Sequence, residues 1–328
     1  MAATPLIALT LGDPAGIGPE ICLRVLADRD LRHLARLVVI GPPRLRPESV
    51  PVAPVEAVPR FGAELVDGAA VWVAVESEGD WHPGEAQASA GRAALAALRV
   101  GHELALAGDV EALVTAPVCK EALHLAGEEV EGQTELLGNW CGTHDHQMLA
   151  IAGELRVMLL SRHLPLRGAL AAVSEERVLR HLHLLHAGLT ELGFGAPRLA
   201  LAGLNPHAGE GGLLGSEEGE ILEPAARQAR AAGLDVTGPI SPDSVFLQAA
   251  AGEFDGVLAL YHDQAFIPIK LLGEGSGMTV LVGLPYLRTS PAHGVAFDLV
   301  GTGRARSRDL GVTLLRTAEW CLRRRARG

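Results

Sequence analysis

The chain has 328 residues, 48% apolar and 20% charged, with 39 glycines and a net charge of −11. It is long enough for two cores, and its composition excludes a disordered or fibrous protein. The acidic balance leaves no basic face for a phosphate backbone, which excludes a nucleic-acid partner. Cys22, Cys119, Cys141 and Cys321 are scattered with no Cys-x-x-Cys pair, against both a disulfide framework and a cysteine zinc site. No apolar run has the length to cross a bilayer, and no basic segment precedes an apolar core at the start. The expectation is a soluble cytoplasmic protein with no membrane partner.

In chain order, residues 5–11 read as a strand, followed by the turn Gly12-Asp13-Pro14 and a helix from Pro19 to about residue 31. Strands are expected at 34–40 and 70–75, then a long alanine-rich helix at 85–107 and a strand at 110–115. Short helices are expected at 120–125 and 134–140. Further strands alternate with helices from Gln147 onward, the clearest helices being 174–192, 216–232 and 308–325. This alternation predicts an α/β fold with largely parallel sheets. Residues 1–128 with 295–328 are expected to form one lobe, and 129–294 a second lobe carrying the dimer interface.

Three apolar runs lead into histidines: 155–160 to His163, 199–204 to His207, and 257–261 to His262. Such runs read as strands buried on both faces of a parallel sheet, whose carboxyl ends face a ligand crevice. Three imidazoles delivered there suit a divalent transition metal, although a lone strand-end histidine is more often structural. His181, His183 and His186 are different. They fall on an expected helix at spacings that place at most one pair on a face, and read as solvated or packed side chains.

Around the histidines lie further polar groups. Asn205-Pro206-His207-Ala208-Gly209 joins a strand end to glycines that permit close ligand approach. In Tyr261-His262-Asp263-Gln264 a carboxylate stands beside a candidate ligand. Lys270 offers a point charge, the stretch 273–277 offers backbone N–H groups, and Arg288 beside Thr289 and Ser290 offers a bidentate clamp. No Gly-x-Gly-x-x-Gly follows a strand, and no P-loop motif occurs.

The ordered set Leu11-Gly-Asp-Pro-Ala-Gly-Ile-Gly-Pro-Glu20, Thr115-Ala-Pro117, Gly132-Gln-Thr-Glu135, Gly203-Leu-Asn-Pro-His-Ala-Gly-Glu-Gly-Gly212, Gly238-Pro-Ile-Ser-Pro-Asp243, Tyr261-His-Asp-Gln264 and Gly283-Leu-Pro-Tyr-Leu-Arg-Thr-Ser290 closely resembles the 4-hydroxythreonine-4-phosphate dehydrogenase family. The resemblance implies an isopropylmalate-dehydrogenase-like architecture of two α/β/α lobes with a cleft between them. It implies a homodimer with shared active sites, and NAD or NADP bound without the Rossmann fingerprint. It also implies one divalent metal per site, zinc first with magnesium or cobalt as alternatives, held by His163, His207 and His262, one of them from the partner subunit.

By the same resemblance Gln133, Thr134, Lys270, Thr279 and Arg288 contact a small phosphorylated hydroxy-acid substrate. Gly12, Asp13, Asn205 and Gly209 are candidates for the cofactor, and Asp243 and Asp263 for proton transfer. Two positions depart from the family: His is usual where Gln133 stands, and Asn where Thr279 stands. The implied reaction oxidises 4-phosphohydroxy-L-threonine to a 3-oxo acid that loses carbon dioxide, in pyridoxal 5′-phosphate biosynthesis. Phosphothreonate or phosphoerythronate would undergo the same chemistry. A metal-dependent phosphoesterase and a non-catalytic phosphometabolite-binding protein are the competing classes.

Overall fold

The structure, a computed structural model, describes residues 3–76, 78–274 and 277–326. The apolar runs become eleven strands among the described residues: β1 (Leu6–Thr10), β2 (Arg36–Gly41), β3 (Ala70–Ala74), β4 (Ala112–Thr115), β5 (Gln147–Ala152), β6 (Leu155–Leu159), β7 (Arg198–Ala202), β8 (Asp235–Ile240), β9 (Gly256–Ala259), β10 (Met278–Val282) and β11 (Leu287–Pro291). The chain divides into two compact units, Met1–His144 with Leu284–Gly328, and Asp145–Gly283.

In the first unit the strand order is β3-β2-β1-β4-β11 and every pairing is parallel. β1, β2 and β4 are buried throughout, as apolar strands covered on both faces must be. The helix Ala88–Ala107 packs on β1, β2 and β4. Its small residues allow a close approach: a Cβ on Gly101 would lie 2.8 Å from Leu113 Cδ1. The helix Arg308–Arg325 packs on β11 and β4, where Thr289 and Thr317 share a hydroxyl hydrogen bond of 2.8 Å. Side chains alternate along β11, so Arg288 points away from the face that Thr289 occupies.

In the second unit the order is β10-β5-β6-β9-β7-β8. The run β6-β9-β7-β8 is parallel, but β5 is antiparallel to both β10 and β6. The pairing is thus largely parallel as expected, with β5 the antiparallel exception. Only Gly153 and Glu154 separate β5 from β6, and two residues can close a hairpin but cannot carry a crossover. Gly153 takes the positive φ of 59° that the turn demands. The core on one side of this sheet gathers Leu155, Val157, Leu159, Ala200, Ala202, Val257 and Ala259 with Val245, Phe246 and Ile269.

Three helix limits also differ from expectation. The first helix stops at Ala27, because Asp28 is extended and its carboxylate caps a new turn through the N–H groups of Asp30 and Leu31. The helix expected at 216–232 opens as a π-helical turn, Glu218–Leu222, before Glu223–Ala231 continues it. His262 starts a helix, His262–Leu272, that runs through Pro268 and had no counterpart among the expected elements. No described helix is long and apolar enough to cross a membrane.

Candidate functional site

β6, β9 and β7 are adjacent and parallel, so their carboxyl ends share one edge of the second unit. His163, His262 and His207 follow those ends. The rings of His163 and His262 lie 5.9 Å apart, centre to centre, and His262 also stacks on Phe266 at 4.7 Å. His262 Nδ1 is 2.8 Å from Asp263 Oδ1. With Nδ1–H donating to that carboxylate, Nε2 keeps its lone pair and faces outward as a base or ligand. Asp263 is thereby an orienting group for His262.

His207 reaches the same edge by an unusual path. His207, Ala208, Gly209, Glu210 and Gly211 all have positive φ, between 45° and 78°, forming a left-handed turn inside Pro206–Gly212. Each non-glycine residue in that region costs roughly 1–2 kcal/mol. Such strain persists only where the surroundings over-determine it. A Cβ on Gly209 would lie 2.7 Å from Glu218 Oε2, so packing as well as φ calls for glycine here. Asn205 directs its Nδ2 to Glu217 Oε2 and Glu218 Oε2 at 2.8 and 2.9 Å, and its amide donors are thus taken up within the loop.

Beside His207 opens a cavity of about 620 Å³, lined by Leu204, Tyr261, Asp263, Asp243, Phe246 and Leu271 among others. Asp243 Oδ1 accepts from Ser241 Oγ at 2.7 Å. Lys270 is exposed near the end of the helix His262–Leu272, and Thr279 is buried in β10 opposite Ala150. The stretch 273–277 includes residues 275 and 276, which lie outside the described residues. Among the described residues no three His, Cys, Asp or Glu side chains of one chain are grouped closely enough to hold a metal. Two imidazoles, one oriented by a carboxylate, are a donor set that fits a transition metal, and a third donor must come from elsewhere.

The first unit carries a second polar centre. β2 and β4 flank β1, and the carboxyl ends of β1 and β4 form the crossover point at which parallel sheets bind ligands. Asp13 lies there with no solvent exposure: its N–H donates to Pro117 O and its Oδ1 accepts from Ala15 N, both at 2.8 Å. Burial pushes its carboxyl from 3.8 up to about 6, against the lowering effect of the Ala15 and Cys119 backbone N–H groups. Gly12 has φ 70°, and a Cβ there would sit 2.2 Å from Pro117 O, so the close approach of the two loops itself requires glycine.

Arg288 is 2% exposed and its Nη2 donates to Thr115 Oγ1 at 2.7 Å. Burial depresses its guanidinium to about 10, with Tyr286 and Glu135 acting the other way. Thr134 is buried at the start of the helix Gln133–Trp140, and Gln133 Nε2 reaches Ala116 O at 3.5 Å. Four buried atoms of this region have no hydrogen-bond partner among the described residues: Thr10 Oγ1, Asp13 Oδ2, Gln133 Oε1 and Arg288 Nε. Buried polar atoms are normally satisfied, so a cluster of orphans at strand ends marks where a polar ligand completes the site. Thr10 and Glu218 carry no signal in the sequence, and Thr115 enters it only as part of a motif, with no role of its own. A threonine at a strand end and an acid in a first helical turn are too common to signal anything alone.

The chain matches the family model described as pyridoxal phosphate biosynthetic protein PdxA over residues 34–314. It is 43% identical to a D-threonate 4-phosphate dehydrogenase of Salmonella typhimurium, over 95% of this chain and 97% of that protein. It is 40% identical to a 4-hydroxythreonine-4-phosphate dehydrogenase of Desulfosudis oleivorans, over 94% of each. The crystal structure of a 4-hydroxythreonine-4-phosphate dehydrogenase from Klebsiella pneumoniae superposes with a TM-score of 0.86 at 39% identity, covering 98% of this chain and 99% of that one.

Proposed function

Because the chain belongs to the pyridoxal phosphate biosynthetic protein PdxA family and is an oxidoreductase acting on a CH–OH group, we propose that its substrate is a four-carbon 3-hydroxy acid phosphorylated at carbon 4. D-Threonate 4-phosphate is the first candidate and 4-hydroxythreonine 4-phosphate the second, following the names carried by similar proteins. The observation that carries this reading is Arg288, a buried guanidinium whose Nε has no partner among the described residues. A guanidinium held out of water with a free donor is a prepared site for a phosphate or carboxylate.

In this reading Arg288 and Lys270 hold the anionic ends of the substrate, and Gln133, Thr134 and Thr279 hold its hydroxyl and C2 substituents. Binding energy remote from the reacting carbon then fixes its orientation. His163, His207 and His262 are the residues that would hold a divalent metal, with zinc favoured by an all-imidazole donor set and one histidine supplied by a second subunit. A metal held there would supply Lewis acidity at the substrate alcohol, and NAD or NADP, when bound, would supply the hydride acceptor. Asp263 keeps His262 in one tautomer, and Asp243 is positioned on the cavity wall to take up a proton. The 3-oxo acid formed loses carbon dioxide. Asp13 and Thr10, with orphaned oxygens at the crossover point, are the cofactor-facing groups.

A homodimer is supported by exposed apolar side chains of the second unit. Leu247, Ile267 and Leu271 are 67%, 59% and 73% exposed, and all three line the cavity. An apolar surface of this kind is unfavourable in water and favours burial against another chain. The deciding experiment supplies purified enzyme with zinc, NAD or NADP, and each phosphorylated acid, and follows nicotinamide reduction. Reduction dependent on a 4-phosphorylated acid supports the proposal. Release of inorganic phosphate without cofactor reduction would overturn it in favour of a phosphoesterase.

A further inference from the structure

The left-handed segment that carries His207 is held by a residue that the reaction itself does not use. Glu218 opens the π-helical turn Glu218–Leu222 and is 6% exposed. Its Oε1 accepts from the backbone N–H groups of Leu204 and Asn205 at 2.8 and 2.7 Å. Its Oε2 accepts from Asn205 Nδ2 at 2.9 Å and abuts Gly209. β7 ends at Ala202, so the N–H groups of Leu204 and Asn205 lie beyond the strand ladder. Left without a partner they would carry the penalty of buried donors. One carboxylate therefore satisfies the entry to the segment and braces its third residue.

A buried carboxylate with no ion pair among the described residues is costly unless hydrogen bonds offset it, and the three donors do so. The placement is specific, because an apolar side chain at 218 would fill the space but orphan the backbone N–H groups of Leu204 and Asn205 and leave Asn205 Nδ2 with Glu217 Oε2 alone. The π-helical turn matters too: its wider winding shifts the register of Glu218 relative to the helix that follows, a device common beside functional sites.

We infer that Glu218 is a positioning residue that fixes the backbone of His207 in its left-handed conformation and so presents that imidazole for metal coordination. The second half of this statement rests on His207 being a metal ligand, as proposed above.

The test compares wild type with Glu218→Ala, Glu218→Gln, Gly209→Ala and His207→Ala, using full-length protein. Three quantities are read: amide hydrogen exchange over residues 204–212, zinc affinity by competition with a chromogenic chelator, and the thermal midpoint of metal-free protein. In Glu218→Ala, exchange at Leu204 and Asn205 should quicken tenfold or more, and zinc affinity should fall roughly 10–100-fold. Glu218→Gln should show a smaller loss, since its amide oxygen keeps the two backbone contacts while its NH₂ opposes Asn205 Nδ2. Gly209→Ala should weaken zinc in the same direction by displacing the carboxylate.

A merely structural role would lower the thermal midpoint and leave zinc affinity of the folded protein unchanged. Unchanged exchange in Glu218→Ala would overturn the inference, as would faster exchange with unaltered zinc affinity while His207→Ala binds zinc poorly. If His207→Ala itself binds zinc as wild type does, the ligand reading fails, and the exchange data still decide whether Glu218 anchors the segment. Should the alanine variant not fold, the glutamine and Gly209 variants carry the same comparison.

Discussion

Arg288 and Thr115 are 173 positions apart in sequence, yet the guanidinium Nη2 donates to the threonine hydroxyl at 2.7 Å across two neighbouring parallel strands. That bond fixes the plane of a buried fork whose Nε remains open. Arg288→Lys preserves charge but loses the fork, and Arg288→Ala loses both. Each should raise KM for the phosphorylated acid at least about tenfold, since a charge-assisted hydrogen bond contributes roughly 1.5–3 kcal/mol. KM for the nicotinamide cofactor should change little. Steady-state kinetics with each substrate varied in turn make the check, and equal rises in both constants would remove Arg288 from the substrate anion site.

In the proposed reading Gln133 and Thr279 contact the substrate and so bear on its choice. The exchanges Gln133→His and Thr279→Asn should move the ratio of kcat/KM values toward 4-hydroxythreonine 4-phosphate and away from D-threonate 4-phosphate. An unaltered ratio across both acids would mean that the two side chains do not discriminate between them.

Asp13 links stability to pH. Its carboxyl is raised from 3.8 to about 6 by burial, so the folded state binds the proton more tightly than the unfolded state. Stability is therefore lost as pH rises from 3.8 through 6, and the penalty is complete above that. The neutral Asp13→Asn should stabilise the protein on the order of 1–3 kcal/mol at pH 8 and hardly at all near pH 4. Urea unfolding at both values tests this, and a pH-independent difference would contradict it.

His181 acts at the acid end. Burial holds its imidazole down at about 4 rather than 6.5, with Nδ1 2.7 Å from Arg177 O and Nε2 3.3 Å from Gln147. The unfolded chain takes up the proton first, so stability conferred by the neutral ring falls as pH drops from 6.5 toward 4. His181→Gln should flatten the fall of the thermal midpoint over that window. An equally steep decline in the variant would assign the acid sensitivity elsewhere.

Leu271 and Ile267 project from the helix His262–Leu272 into solvent. With the proposed homodimer formed through this face, Leu271→Glu combined with Ile267→Glu should halve the mass seen by sedimentation and abolish activity together, because like charges would face each other across a two-fold interface. A monomeric wild type, or a fully active monomeric variant, would rule out a shared site.

Local pattern was enough to determine most element types, the helix His262–Leu272 being an exception. The apolar runs before His163, His207 and His262 are continuous enough to require burial on both faces, and they form β6, β7 and β9. Likewise Ala88–Ala107 and Arg308–Arg325 follow from composition and periodicity, because helix and strand formation depend on near neighbours. Motif order was also enough to place the chain in its family.

Tertiary structure decided the rest, for physical reasons that no local window contains. The antiparallel placement of β5 between β10 and β6 depends on which edges remain to be paired. The left-handed backbone of His207 and Ala208 runs against their intrinsic preference and is maintained by Glu218 from a different element. The raised carboxyl of Asp13 and the open Nε of Arg288 arise from burial and from partners that distant segments supply or withhold. Charge state and dihedral sign at these residues are properties of the packed environment, and a residue's identity alone does not carry them.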